Sequence, residues 1–250
     1  MLTPERQRMI LRILKEKGAA TVRELAEATR SSEATIRRDL HQLEEAGKLI
    51  RFHGGAETLG IKAEDRPVGE RLTEMREEKA AIGRRAAAMV QKGDCIYLDA
   101  GTTTLQMIDH LPQDIVVVTN GLPVAERCLE RDLKTYLIGG VVKPATKALV
   151  GRGALDALSQ YRFDKCFIGI NGIHLLHGLT TPDPEEAHIK RLAMELSEDI
   201  YVLADETKFG KISFALVHPL ERLTIITNAS KNVERLREFQ NLTNIEVVTA

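Results

Sequence analysis

Residues 95–104 read Cys-Ile-Tyr-Leu-Asp-Ala-Gly-Thr-Thr-Thr: a short apolar run, an acid, a glycine and three hydroxyls. A run this short and this uniformly apolar fits a strand buried on both faces, and the LQMIDHL that follows has helical character. The same arrangement recurs as IVVVTN at 115–120, TYLIGG at 135–140, KCFIGING at 165–172, IYVLAD at 200–205, LTIITN at 223–228 and IEVVTA at 245–250. Helical segments separate most of these runs. Continuous Val/Ile/Leu runs alternating with helices predict an α/β domain with a mostly parallel sheet covered on both faces.

Upstream the pattern differs. Residues 1–50 have a dense helical period: Met9, Ile10, Ile13 and Leu14 form one apolar set, ended by Gly18. Thr21 and Glu24 fit a capping box for a second helix. Ser32 is placed to cap a third, in which Ile36, Leu40 and Leu43 form a single stripe and Gly47 is the stop. Residues 48–55, KLIRFHGG, fit a hairpin with a glycine turn. Residues 57–74 are polar and contain Pro67 and Gly69, which predicts a linker. A long helix is expected at about 75–91. The domain boundaries that follow are 1–56, a linker at 57–74, and 75–250.

The totals exclude several classes. With 250 residues, 43% apolar and 28% charged, the chain is an ordinary globular one. No apolar run has membrane-spanning length, and the charged first twenty residues do not fit a signal peptide. No membrane partner is expected. Cys95, Cys128 and Cys166 are odd in number, far apart and set among apolar residues, so buried free thiols in a reducing cytoplasm are expected. No pattern calls for a metal or a cofactor. The formal net charge is −1, but residues 1–60 hold 11 basic and 9 acidic side chains, leaving that segment at +2.

Three short helices, with a tight turn before the third and a hairpin after it, predict a winged helix-turn-helix. At 100° per residue, Ala34, Arg38 and His41 point away from the Ile36–Leu40–Leu43 stripe, flanked by Thr35, Arg37 and Gln42. Small residues permit close approach, and the basic ones donate to phosphates and base edges. Arg51 and His53 add donors on the hairpin. The competing reading is a solvated surface helix, with an arginine paired to Asp39; periodicity alone leaves both open. The stretch TVRELAEATRSSEATIRRDLHQLEEAGKLIRFHGGA resembles the DNA-binding module of the DeoR family of bacterial transcription regulators. The resemblance implies that Thr35, Arg37 and Arg38 meet double-stranded operator DNA, with Arg51, His53 and Gly54 at the wing. Ser32, Ala34 and His41 complete the candidate DNA-facing set.

In open α/β sheets ligands bind outside the carboxyl ends of the strands. There the sequence places Asp99, Gly101, Thr102, Thr103 and Thr104, then Thr119 and Asn120, then Gly139-Gly140 with Lys143 nearby, then Asn171, then Asp205 and Lys208. Hydroxyls and free backbone N–H groups at a helix start can cradle a phosphate. Lysines supply charge, and acids and amides suit hydroxyls, so the set fits a phosphorylated polyol. Alternatives stay open: DAGTTT as an ordinary cap, Asp205 and Lys208 as a structural ion pair, Gly139-Gly140 as a turn. Glu186 and Lys190 lie at i,i+4 after a rigid PDP, either as a surface pair or projecting into the crevice.

The DeoR resemblance extends through DAGTTT, VVTN, GG, EAxxK and ADxxKF. It implies a sugar-phosphate-sensing domain like the ribose-5-phosphate isomerase and CoA-transferase fold, with Asp99, Thr102, Thr103, Asn120, Glu186, Lys190, Asp205 and Lys208 in or beside the effector pocket. Asn171 and Asn228 stand where many members have Asp. With MLTPER and TTPDPEEA, they resemble the branch that controls fructose operons, which implies fructose 1-phosphate as effector. The leading expectation is a transcriptional repressor that binds its operator as a homo-oligomer, a dimer or larger, and is released by a sugar phosphate. A sugar-phosphate isomerase or CoA-transferase-like enzyme with an appended helical domain is the competing class, followed by a metabolite-binding protein whose helical domain meets another protein.

Overall fold

The seven apolar runs all become strands of one sheet in the computed structural model, which describes residues 2–17, 19–52, 54–58, 67–228 and 233–249. The chain divides into two compact units, residues 1–61 with 210–212, and 62–209 with 213–250.

In the first unit the order is α1 (Thr3–Lys17), β1 (Ala19–Thr21), α2 (Val22–Thr29), α3 (Glu33–Glu45), β2 (Leu49–Phe52) and β3 (Gly55–Thr58). Both expected caps form. The Thr21 side chain accepts from the Glu24 N–H and the Glu24 carboxylate takes the Thr21 N–H, while Ser32 Oγ accepts from Thr35 N–H at 3.2 Å. Ile10, Leu14, Leu25, Ile36, Leu40, Leu43 and Leu49 are buried in one cluster. Each such side chain contributes about 1.5–3 kcal/mol by leaving water. The hairpin β2–β3 gains a third, unpredicted strand: β1 pairs antiparallel with β3.

The second unit holds α4 (Val68–Thr73), α5 (Arg76–Ala87), β4 (Cys95–Leu98), α6 (Thr102–Leu105), β5 (Val116–Thr119), α7 (Leu122–Glu130), β6 (Lys134–Leu137), β7 (Val141–Val142), β8 (Leu149–Val150), α8 (Arg152–Leu158), β9 (Phe163–Gly169), β10 (Gly172–His174), β11 (Gly178–Thr181), α9 (Pro184–Glu195), β12 (Ser197–Leu203), β13 (Ala215–His218), β14 (Thr224–Asn228), α10 (Val233–Gln240) and β15 (Asn244–Val248). The large sheet runs β15-β14-β12-β9-β4-β5-β6, and every pairing in it is parallel. Successive side chains on a strand face opposite sides. Ile96, Leu98, Phe167, Leu203 and Ile226 therefore join one core with Ile82 of α5, while Tyr97, Cys166, Ile168, Val202 and Ile225 join the other with Ile189 of α9 and Phe239 of α10. Chain order reverses between β4 and β9, because β5 and β6 extend to one side and the later strands to the other. Ligands in open sheets sit at such a switch.

Beyond β1, the structure departs from the sequence reading in the second unit and settles one open alternative. The helix after DAGTTT is only Thr102–Leu105, followed by a 3-10 turn at Ile108–His110; three consecutive threonines, stiff at χ1 or turned to the backbone, are weak helix formers. The expected linker contains the end of β3 and α4; its residues 59–66 lie outside those described. A small antiparallel sheet, β10-β11-β13, and the hairpin β7–β8 were not anticipated, since strands of two to four residues leave too short a pattern to read. Gly140 sits at φ +122, and a Cβ there would stand 2.5 Å from the Val150 carbonyl oxygen, so GG at 139–140 is a close-packed turn. Cys128 and Cys166 are buried free thiols, and Cys95 is half-buried. Burial pushes Cys166 up to about 12 and Cys128 up to about 11, so neither forms a thiolate near neutral pH. Among the described residues, no helix is long and apolar enough to cross a membrane.

Candidate functional site

On α3 the buried stripe is Ile36, Leu40 and Leu43, and Asp39 is buried beside it. Asp39 does pair with an arginine, but with Arg6 of α1: Arg6 Nε donates to Oδ2, and Nη2 donates to Oδ1 at 3.2 Å. Gln7 Nε2 donates to Gln42 Oε1 at 2.9 Å. The two contacts fix the rotation of α3 on α1. Ala34, Arg37, Arg38 and His41 are left exposed.

The exposed cations are not equivalent. Arg37 bonds Glu33 at 3.1 Å, and His41 Nδ1 lies 3.6 Å from Glu45. Arg38 has no ion-pair partner among the described residues. Thr35 is tied to Ser32 through its N–H and hydroxyl. Glu44 holds the wing: Oε1 accepts the Arg51 N–H at 3.0 Å and Oε2 lies 3.6 Å from the Arg51 guanidinium. Gly54 turns the hairpin at φ +91 with open space where a Cβ would be. His53 lies outside the described residues.

At the switch of the large sheet, Asp99 follows β4 and is 1% exposed. Its Oδ2 accepts the Gly169 N–H of β9 at 3.0 Å and is bonded by Lys190 Nζ from α9. One turn earlier on α9, Glu186 accepts from Lys143 Nζ at 2.9 Å and from Thr146 Oγ1 at 2.7 Å. Asp183 caps α9, accepting the Glu186 N–H at 3.0 Å, and lies 3.0 Å from Lys143 Nζ. Glu186 and Lys190 are 6% and 5% exposed, which removes the surface-pair reading. Burial alone would raise the Glu186 carboxyl, but Lys190 and the bonds from Lys143 and Thr146 outweigh it and hold the group below its ordinary 4.5. A carboxyl lowered in this way stabilises the fold above pH 4.5 and loses that contribution as pH falls through its folded value. In urea unfolding, Glu186→Gln is therefore expected to be less stable than the parent at pH 7, with the gap closing towards pH 3.

A second group lies after β12. Asp205 Oδ1 accepts the Thr207 N–H at 3.0 Å, and Oδ2 lies 3.5 Å from Lys208 Nζ, so the local ion pair exists. Asn228 Oδ1 holds the same turn through the Glu206 N–H at 2.9 Å. Lys79 of α5, which sequence reading passed over as one charge in REEK, is 5% exposed. Burial lowers its pKa, against the opposing pull of Asp205. Thr146 was also missed, because nothing in its neighbourhood marks it; Asp183 was missed although Asp before Pro184, three residues ahead of Glu186, is an N-cap signal.

The remaining candidates divide into two sorts. Thr102 and Thr103 are buried at the start of α6, and their hydroxyls have no bond to other described residues. Asn171 Oδ1 accepts from Thr181 at 2.9 Å, leaving its NH2. Other groups are turned into the framework. Thr104 Oγ1 bonds the Gly101 N–H and the carbonyls of Asp99 and Gly101, so the N–H expected to be free at Gly101 is taken. Thr119 Oγ1 accepts the Gly121 N–H at 3.0 Å. Asn120 Oδ1 accepts from Tyr97 Oη and the Ala100 N–H, while its Nδ2 donates to the Leu149 carbonyl. Thr104 and Asn120 shape the loop after β4, and Thr119 the turn after β5.

The profile of the DeoR-like helix-turn-helix domain matches residues 6–61, and that of the DeoR C terminal sensor domain matches residues 74–229. The chain is 44% identical over 250 residues, 99% of each chain, to an uncharacterized HTH-type transcriptional regulator, FruR, of Bacillus subtilis (strain 168). It is 30% identical, over 96% of each chain, to the lactose phosphotransferase system repressor of Staphylococcus epidermidis. Among solved structures, the full-length sorbitol operon regulator SorC of Klebsiella pneumoniae matches with a TM-score of 0.43 at 14% identity, covering 94% of this chain and 99% of that one.

Proposed function

The chain belongs to the DeoR family of transcriptional regulators, and on that premise we propose that it represses a sugar-utilisation operon and is released from its operator by fructose 1-phosphate. It is a DNA-binding regulator and not an enzyme. In this reading it acts in the cytoplasm as a homo-oligomer, with α3 in the major groove and the β2–β3 wing along the backbone.

The observation that carries the effector half is the Asp99–Lys190 pair. A buried ion pair gains little stability over an apolar pair of the same size, yet this one occupies the switch of the sheet. Lys143, faced by Asp183 and Glu186, meets the same helix α9, and a second group, Lys79 and Lys208 with Asp205, follows β12, the strand beyond β9 in the sheet. A phosphate dianion competes for the lysines, and the carboxylates it displaces become acceptors for sugar hydroxyls. That exchange suits a phosphorylated polyol better than a bare anion or a neutral sugar. Asn171 and Asn228, and a relative that carries the name FruR, support the fructose branch.

The test is fluorescence anisotropy on an operator selected from genomic DNA, titrated with fructose 1-phosphate, fructose 6-phosphate, glucose 6-phosphate and inorganic phosphate. Fructose 1-phosphate is expected to weaken operator binding by about 5–150-fold, the usual range of allosteric coupling, at concentrations where the others do little. Release by another of these sugars alone reassigns the effector, and release by none of them sinks the repressor-by-sugar-phosphate reading.

A further inference from the structure

The first helix of the second unit, α4, is six residues long and contains no fully buried side chain. A helix so short does not hold itself in water, so its position depends on what it touches. Val68 N–H donates to the Ala145 carbonyl at 2.9 Å, in the loop between β7 and β8. The Arg71 carbonyl accepts from Lys79 Nζ. The helix also packs against α6, which opens on Thr102 and Thr103.

All three supports carry or adjoin side chains of the proposed effector site. The β7–β8 loop carries Lys143 and Thr146, both bonded to Glu186. Lys79 is buried in the field of Asp205 and Lys208. In the other direction along the chain, α4 leads back through residues 59–66 to the wing strand β3. A lysine that bonds a neutral carbonyl is held more weakly than one that bonds an anion, since charge-assisted bonds are roughly twice as strong.

We infer that α4 is the relay between the two functions: it is docked on the crevice rim in the DNA-binding state, and it is released when a sugar phosphate takes Lys79 from the Arg71 carbonyl and Lys143 from Glu186. This rests on the crevice being the sugar-phosphate site. The ligand then binds the released state better than the docked one, and that difference is what couples it to DNA. By linkage, anything that loosens α4 raises effector affinity and lowers operator affinity together.

Val68→Pro removes the N–H of one tether and leaves every crevice side chain in place. Proline suits a first helical position, and Pro67 already has the extended backbone (φ −51, ψ 139) that a following proline needs. Val68→Ala keeps the N–H. Val68→Pro is expected to bind operator about fivefold more weakly and fructose 1-phosphate about fivefold more tightly, the effect of losing one hydrogen bond, while Val68→Ala matches the parent. In hydrogen–deuterium exchange, fructose 1-phosphate is expected to speed exchange at residues 68–73 of the parent. Equal operator affinity for the two Val68 variants overturns the relay, whether or not the sugar binds. Binding of the sugar that depends on Lys190 but leaves exchange at 68–73 unchanged also overturns the relay, and leaves the crevice assignment standing.

Discussion

In Lys190→Met, operator DNA is expected to stay bound at fructose 1-phosphate concentrations that, on the proposed reading, empty the parent protein. Methionine fills the volume of the lysine stem but removes the cation that Asp99 faces at the switch between β4 and β9. The Asp99 carboxylate then keeps only the Gly169 N–H among its present donors. Removing one partner of a buried pair destabilises by about 3–5 kcal/mol, because the other charge is left uncompensated. The single variant therefore loses stability as well as induction, and stability must be separated from binding. Asp99→Asn combined with Lys190→Met removes both charges; it is expected to regain most of the lost stability, yet to remain unresponsive to the sugar. Chemical denaturation and anisotropy on the same preparations give the two readouts. Normal induction in the double variant would falsify the assignment of this pair to the effector site.

Arg38→Ala is expected to weaken operator binding by about 1–3 kcal/mol, roughly 5–150-fold, with sugar-phosphate affinity unchanged. Arg38 projects from the face of α3 opposite Ile36, Leu40 and Leu43, and has no ion-pair partner among the described residues, so no internal bond has to break for it to meet DNA. Arg37 is engaged by Glu33 at 3.1 Å and would have to give up that exposed pair to meet DNA, so Arg37→Ala is expected to have the smaller effect. The salt dependence identifies the contact. A phosphate partner lowers the slope of log K against log salt by about 1 and weakens all sequences alike. A base partner leaves the slope and relaxes sequence preference. An operator affinity equal to the parent's removes α3 from the interface.

Much of this was legible because it depends on local periodicity. Ile36, Leu40 and Leu43 fall on one face at 3.6 residues per turn, and the structure buries all three. Seven apolar runs became seven parallel strands for the same reason: a strand covered on both faces has to be apolar throughout. What periodicity could not reach was the choice of partner. Asp39 reads as a charge next to two arginines, yet it bonds Arg6, thirty-three residues away. Glu186 and Lys190 look like a local pair, but Glu186 bonds Lys143 and Thr146 while Lys190 bonds Asp99, ninety-one residues away. Lys79 sits in a charged run that reads as solvated surface, and is nearly inaccessible.

Thr104, Thr119 and Asn120 show the converse. Each has the chemistry of a ligand contact and the right place at a strand end, but backbone N–H groups in a tight loop also need acceptors when buried. The loops after β4 and β5 take these side chains for themselves. The sequence alone determined the two-part organisation of the fold, the outward face of α3 and the strand ends that carry polar groups, because each is set by the spacing of apolar residues along a regular element. Tertiary structure decided which of those polar groups are bonded to the framework and which are not, and it brought Lys79 and the β7–β8 loop together on α4. Hydrogen bonds and ion pairs act over about 3 Å in space, and separation along the chain carries no record of that distance.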